Sequence, residues 1–241
     1  MLGTVAALWR YPVKSLLGEQ LTRARLTAGG IEGDRGLAIV DRGTGEVLSG
    51  RRVPGLLEGR ALLERDGVKI SLPGGEVVAA VEADDAVSAW LGRDIRIAEP
   101  DAARPVIADE DGESFRGMAG TFFDSSPVHV VTTATMAHLE ALYPEGMFDP
   151  RRFRPNIVVD AGDEGPVEQA WVGRTIRVGK VLLAIRKPCR RCVMTTLEQD
   201  DLPHDRGILR TVAREADNTV GVYALVEQRG EIAVEDVVES T

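Results

Sequence analysis

The apolar residues of this chain are parcelled into short runs, and this constrains its fold more than any other feature. GTVAALW (3–9), LAIVD (37–41), VKISL (68–72), PVHVVT (127–132), NIVVD (156–160), RTIRV (174–178) and KVLLAIR (180–186) are rich in β-branched residues and lie close to glycine, proline or charged residues. Runs of this length and composition suit strands and are too short for a helical core. Stretches 56–64, 94–98, 219–227 and 231–234 read the same way. Helical spacing shows in three places. Residues 83–91 carry Val87, Trp90 and Leu91 on one face, with Asp84 or Asp85 as the expected cap. Residues 133–143 follow Thr132 or Thr133, and residues 205–215 carry Ile208, Leu209 and Val212. Many strands and few helices predict an α+β fold, mainly β, centred on a barrel with peripheral helices.

With 241 residues and 44% apolar content, core material is ample without covalent staples. The acidic, proline-containing segment 99–113 is the expected linker. It divides a β-rich part, 1–98, from a second part, 114–240. Every apolar run is interrupted well short of the roughly 18 to 20 residues of a membrane span. A net charge of -9 argues against general nucleic-acid binding. Arginine far outnumbers lysine, so only the position of an arginine can point to anion binding. Two cysteines and no recognisable leader make the reducing cytoplasm the expected location.

Both cysteines sit in Pro188-Cys189-Arg190-Arg191-Cys192. A zinc site needs three or four protein ligands, and only His129, His138 and His204 could join them. A redox pair needs a helix N-terminus, whereas Val193 to Leu197 reads as extended. A single thiolate on a soft metal, kept ionised by Lys187, Arg190 and Arg191, is a third reading. Two plain thiols on a basic turn are the fourth, and spacing leaves all of them open. Elsewhere, Lys14 and Ser15 follow the first strand, Asp34 and Arg35 lie in a glycine-flanked turn, and Asp124 to Ser126 form a turn before a strand. Arg151, Arg152 and Arg154 precede the strand at 156–160. These are anion-recognition chemistries at the ends of several strands.

Taken in order, YPVKSLLG (11–18), DRGLAIVD (34–41), the S-x-R-R-x-P of Ser49 to Pro54, FDSSP (123–127), FRPNIVV (153–159) and C-x-R-C-V-x-T-T (189–196) resemble the MOSC proteins. The resemblance is to those with an N-terminal MOSC β-barrel domain, the group that contains the mitochondrial amidoxime reducing component and its bacterial counterparts. It implies a MOSC-type β-barrel beside an N-terminal β-rich subdomain. It also implies a site for molybdenum cofactor, a pterin dithiolene with a phosphate, between the two parts of the chain. By this resemblance Lys14, Ser15, Arg35, Asp124, Ser126 and Arg154 are cofactor-binding, and Cys192 is the molybdenum ligand and catalytic residue. Arg152 stands where relatives often have asparagine and would replace that contact by a charged one. Cys189 receives no role. Beyond C-V-M-T-T the chain departs from the V-D-P-x-T-G of relatives, so substrate choice does not carry over.

The activity implied is a molybdenum-dependent reduction of N-hydroxylated or N-oxide substrates. Two cysteines cannot hold an iron–sulfur cluster, and there is no G-x-G-x-x-G fingerprint, so a separate ferredoxin- or flavin-type electron donor is expected. The alternative is a cofactor carrier or sulfur-transfer protein holding a persulfide. Pyridoxal phosphate, bound by the desulfurase parts fused to some MOSC domains, is not expected without a Schiff-base lysine motif.

Overall fold

The structure, a computed structural model, describes residues 1–101, 105–108, 114–116, 120–162 and 164–241. Residues 102–104 and 109–113, most of the expected linker, lie outside the described residues. By packing, the chain forms two compact units that interleave along the sequence. The first contains Met1–Trp9, Gln20–Glu32 and Ser126–Thr241, and the second contains Arg10–Glu19 and Gly33–Ser125.

A closed seven-stranded barrel forms the first unit. Around it run Ile157–Asp160, Val128–Thr132, Thr219–Gln228, Val181–Arg190, Thr175–Val178, Val237–Ser240 and Gly3–Arg10, and the last pairs back onto the first. Strand Ile157–Asp160 runs parallel to Val128–Thr132 and antiparallel to Gly3–Arg10, with Leu8 opposite Ile157 and Thr4 opposite Asp160. Closure is tight at Gly3: a Cβ there would lie 2.1 Å from the Asp160 carbonyl oxygen, and φ is +150°. Alternate residues fill the barrel, among them Val5, Leu8, Val128, Val130, Ile157, Val159, Val222 and Ala224.

The other face of two strands is also buried. Val131 and Val158 pack against Met136 and Leu139 of helix Thr133–Leu142 and Ile208 and Val212 of helix Arg206–Glu215. Double burial explains why these segments read as continuous apolar runs. Thr132 caps its helix by accepting from Thr135 N at 3.1 Å, and Asp205 caps the other through Gly207 N at 2.7 Å.

The second unit has its own core, with Val13, Leu16, Ile39, Leu56, Ile70, Val87 and Ile95 at its centre. Ala38–Asp41 pairs with Ile95–Ala98, and Arg60–Glu64, Gly67–Ser71 and Val77–Ala79 form a three-stranded sheet. Three expectations are corrected. Helix Asp84–Leu91 is capped by Ala83 without a side-chain bond, because the Asp84 carboxylate instead accepts from Ile97 N and Arg42. Stretch 56–64 begins as a 3-10 turn, Pro54–Glu58, since Pro54 at its start favours helical φ. Val193–Thr196 is likewise a 3-10 turn rather than extended: the Thr195 and Thr196 hydroxyls donate to the Cys192 and Val193 carbonyls at 3.0 and 2.7 Å.

Candidate cofactor site

In the second unit, the turn after the first strand buries Lys14 and Ser15, which are 6% and 5% exposed. Ser15 takes a left-handed backbone, φ 68°, and its hydroxyl accepts from Gly50 N at 3.0 Å, which leaves its own proton free to donate. Lys14 Nζ donates to the Phe122 carbonyl at 3.0 Å and pairs with Asp124 Oδ1. Asp124 Oδ2 lies 3.4 Å from Arg51 Nη2. Burial pushes the Lys14 pKa below its ordinary value despite the Asp124 charge, and Arg35 and Arg51 push the same way. For Asp124, burial opposes ionisation, but Lys14, Arg51 and Arg35 outweigh it and hold the carboxyl below its ordinary range.

Arg35 belongs to a buried ion pair: the Asp34 side chain is wholly covered and accepts from Arg35 Nη1 and from Tyr11 N. A left-handed Arg35, φ 48°, sets its guanidinium 4.9 Å from the Tyr11 ring and 5.7 Å from the Phe123 ring. Lys14, Arg35 and Arg51 thus gather around two carboxylates, Asp34 and Asp124. Arg51 had no assigned role in the sequence reading, although its S-x-R-R-x-P motif had been singled out.

In the first unit, Cys192 follows strand Val181–Arg190 and caps the 3-10 turn, its side chain partly exposed and outside any disulfide. Ser126 is buried just before strand Val128–Thr132. Arg154 ends the 3-10 turn Pro150–Phe153 with a left-handed backbone, φ 53°, directly after Phe153. Arg152 is only 1% exposed and holds a loop: Nε donates to Met147 O at 2.8 Å, Nη1 to Thr195 O and Leu197 O at 3.4 and 3.3 Å, and Nη2 to Pro203 O at 2.8 Å. Its donors are committed to carbonyls, so it shapes the loop after Cys192 instead of facing an anion. Asn156 of the F-R-P-N motif knits strands together, accepting from His129 N at 3.1 Å and donating to Trp9 O at 3.3 Å.

Among the described residues, no group of three or more His, Cys, Asp or Glu side chains is placed to hold a metal. His129 is tied to the Val220 carbonyl at 3.1 Å within the barrel wall.

The MOSC N-terminal beta barrel domain model matches residues 2–104 and the MOSC domain model residues 118–239. Mitochondrial amidoxime reducing component 2 of Bos taurus is 27% identical over 240 residues, covering 85% of this chain and 69% of its own length. Mitochondrial amidoxime-reducing component 1 of Homo sapiens is 26% identical over 232 residues, covering 82% and 67%. A molybdenum cofactor sulfurase of Oryza sativa subsp. japonica is 25% identical over 79% of this chain, which spans 28% of that longer protein. Among solved structures, the YUAD protein of Bacillus subtilis has a similar fold, with a TM-score of 0.54, 13% identity and coverage of 99% and 94%. With both of its parts matched and its barrel closed, the chain belongs to the MOSC family, in the form that carries an N-terminal MOSC β-barrel domain.

Proposed function

We propose that the chain binds molybdenum cofactor and reduces N-hydroxylated or N-oxide compounds, Cys192 being the molybdenum ligand. The observation that carries this reading is a single partly exposed thiol, Cys192, in the C-x-R-C motif of a MOSC domain, in a chain whose relatives are amidoxime reducing components. The donor set fits such a group: a thiolate suits a soft, high-valent metal, and the ammonium and guanidinium donors of Lys14, Arg35 and Arg51 suit a phosphate. Bound there, the cofactor would supply a two-electron centre able to accept an oxygen atom.

The residues of the chain do the rest. Cys192 presents its sulfur at the turn that Thr195 and Thr196 close by hydrogen bonds to the preceding carbonyls. Arg152 holds the loop from Thr195 to Pro203, where the chain departs from its relatives, and this loop sets substrate access. Ser15 and Ser126 offer hydroxyls, while Lys14, Arg35, Arg51 and Arg154 bind the anionic group. Each N–O bond broken consumes two electrons and two protons and releases water. The electrons come from a separate ferredoxin- or flavin-type protein.

Purified from a host that makes the cofactor, the protein is expected to contain molybdenum close to one atom per chain and to reduce benzamidoxime with an artificial donor. Cys192→Ser should lose both metal and activity, and retained activity in that variant sinks the ligand assignment. The likeness to molybdenum cofactor sulfurases supports a second reading, a persulfide on Cys192 used for sulfur transfer. Cyanide-releasable sulfur without reductase activity would select it.

A further inference from the structure

Cys189, which lies outside the proposed ligand set, is the more deeply placed of the two thiols. It is the next-to-last residue of strand Val181–Arg190, with 0% exposure, and Arg191 Nη1 approaches its sulfur at 2.7 Å. The same guanidinium donates through Nη2 to the Phe153 carbonyl at 2.7 Å and lies 5.4 Å from the Phe153 ring. Asn218 fastens the Arg191 backbone from both sides: Arg191 N donates to Asn218 O at 2.9 Å, and Asn218 Nδ2 donates to Arg191 O at 3.1 Å. One half-buried arginine therefore joins three things: the Cys189 sulfur, the residue before Cys192, and the turn that presents Arg154.

We propose that Cys189 is a positioning residue whose thiolate anchors Arg191, so that this guanidinium locks the Cys192 loop to the Phe153–Arg154 turn. A buried guanidinium needs a counter-anion, because leaving its charge unpaired costs several kcal/mol. Among the described residues, the sulfur of Cys189 is the group within hydrogen-bond reach that can supply the charge; the Phe153 carbonyl supplies only a dipole. The groups facing Cys189 are Arg191 on its own segment, Tyr223 on the neighbouring strand and His129 on the strand beyond it. Burial raises the thiol pKa, but the Arg191 and His129 charges and hydrogen bonds from His129 and Tyr223 outweigh it and bring it to about 6. These neighbours thus favour the thiolate over the neutral thiol. A charged anchor also explains the order of the motif: cysteine and arginine two residues apart can pair at the end of a strand, and this leaves the second cysteine to face outward.

This inference rests on the Cys192 reading for its consequence but not for its test. Because the chain has two cysteines, Cys192→Ser leaves Cys189 as the sole thiol of the metal-free chain. Its ultraviolet thiolate absorbance should titrate with a midpoint of about 6. Adding Arg191→Gln should raise that midpoint by about one pH unit or more. A midpoint at or above the ordinary 9.0 overturns the proposal, whatever the metal content of the wild type proves to be. A second readout separates charge from packing. Cys189→Ser keeps the volume and removes the anion, so Cys192 in that metal-free variant should react with iodoacetamide several-fold faster than in the wild type, and Cys189→Asp should restore the slow rate. Equal rates in all three would show that Cys189 only fills space.

Discussion

Arg152 shows how a residue can sit in a binding motif and serve it indirectly. Its guanidinium reaches four carbonyls, from Met147, Thr195, Leu197 and Pro203, and almost none of it meets solvent. Arg152→Met preserves most of the volume and strips four carbonyls of their donor. Net hydrogen-bond contributions near 1 kcal/mol each place the loss at about 2–4 kcal/mol, read as a lower urea midpoint with unchanged slope. A midpoint equal to the wild type would mean that the loop does not depend on this clamp. Arg51 and Cys189 are the counterparts on the other side of the argument. Neither received a role from the sequence, because their partners, Asp124 and Arg191, are fixed by turn geometry that spacing does not encode. Lys14, Ser15 and Arg35 stood out in the sequence because each lies in a motif with an unusual residue pair, but the pattern does not show the burial of Lys14 and Ser15 or the left-handed backbone at Ser15 and Arg35.

At the scale of elements, the barrel staves were readable where both faces or one face are apolar, as in Val128–Thr132 and Ile157–Asp160. The short strands Glu19–Leu21 and Arg23–Thr27 were not, since EQL and RARLT carry too few apolar residues to declare a period. The 3-10 turns were equally silent, because their bonds span too few residues to leave a pattern. One of them, Val167–Trp171, carries Glu168, fully buried in the barrel unit, where Thr132 and Thr135 hydroxyls both donate to its Oε2. Burial outweighs those bonds and raises its pKa above the ordinary 4.5. A carboxyl whose pKa is higher folded than unfolded favours the fold in its protonated form. The contribution is full below the ordinary value and is lost as pH rises through the folded one. Glu168→Gln mimics the protonated state, so its melting temperature should fall less than that of the wild type between about pH 4 and pH 8. Parallel melting curves for the two proteins across that range would show that Glu168 stays charged in the fold.

The whole molecule is assembled from segments that its sequence separates. The barrel takes its seventh strand from Gly3–Arg10, while the other six begin at Val128, and the second unit occupies most of the chain between them. A linear reading divides the chain near residue 100, and the two family models divide it in the same way, at 2–104 and 118–239. Packing does not follow that division. A fragment beginning at Ser126 leaves two strands, Ile157–Asp160 and Val237–Ser240, each without the partner that Gly3–Arg10 provides, and exposes Val159 and Val238 from the core. Unpaired edges of this kind promote association with other chains. The fragment is therefore expected to aggregate or to unfold without cooperativity, as followed by circular dichroism and size-exclusion chromatography. The same fragment fused to residues 1–32, with 10–19 replaced by a flexible Gly/Ser linker and a second such linker before Ser126, regains the strand and should unfold in one cooperative transition. Cooperative unfolding of the shorter fragment would show that six strands close without the first, and that the interleaved order of the chain is not what holds the barrel shut.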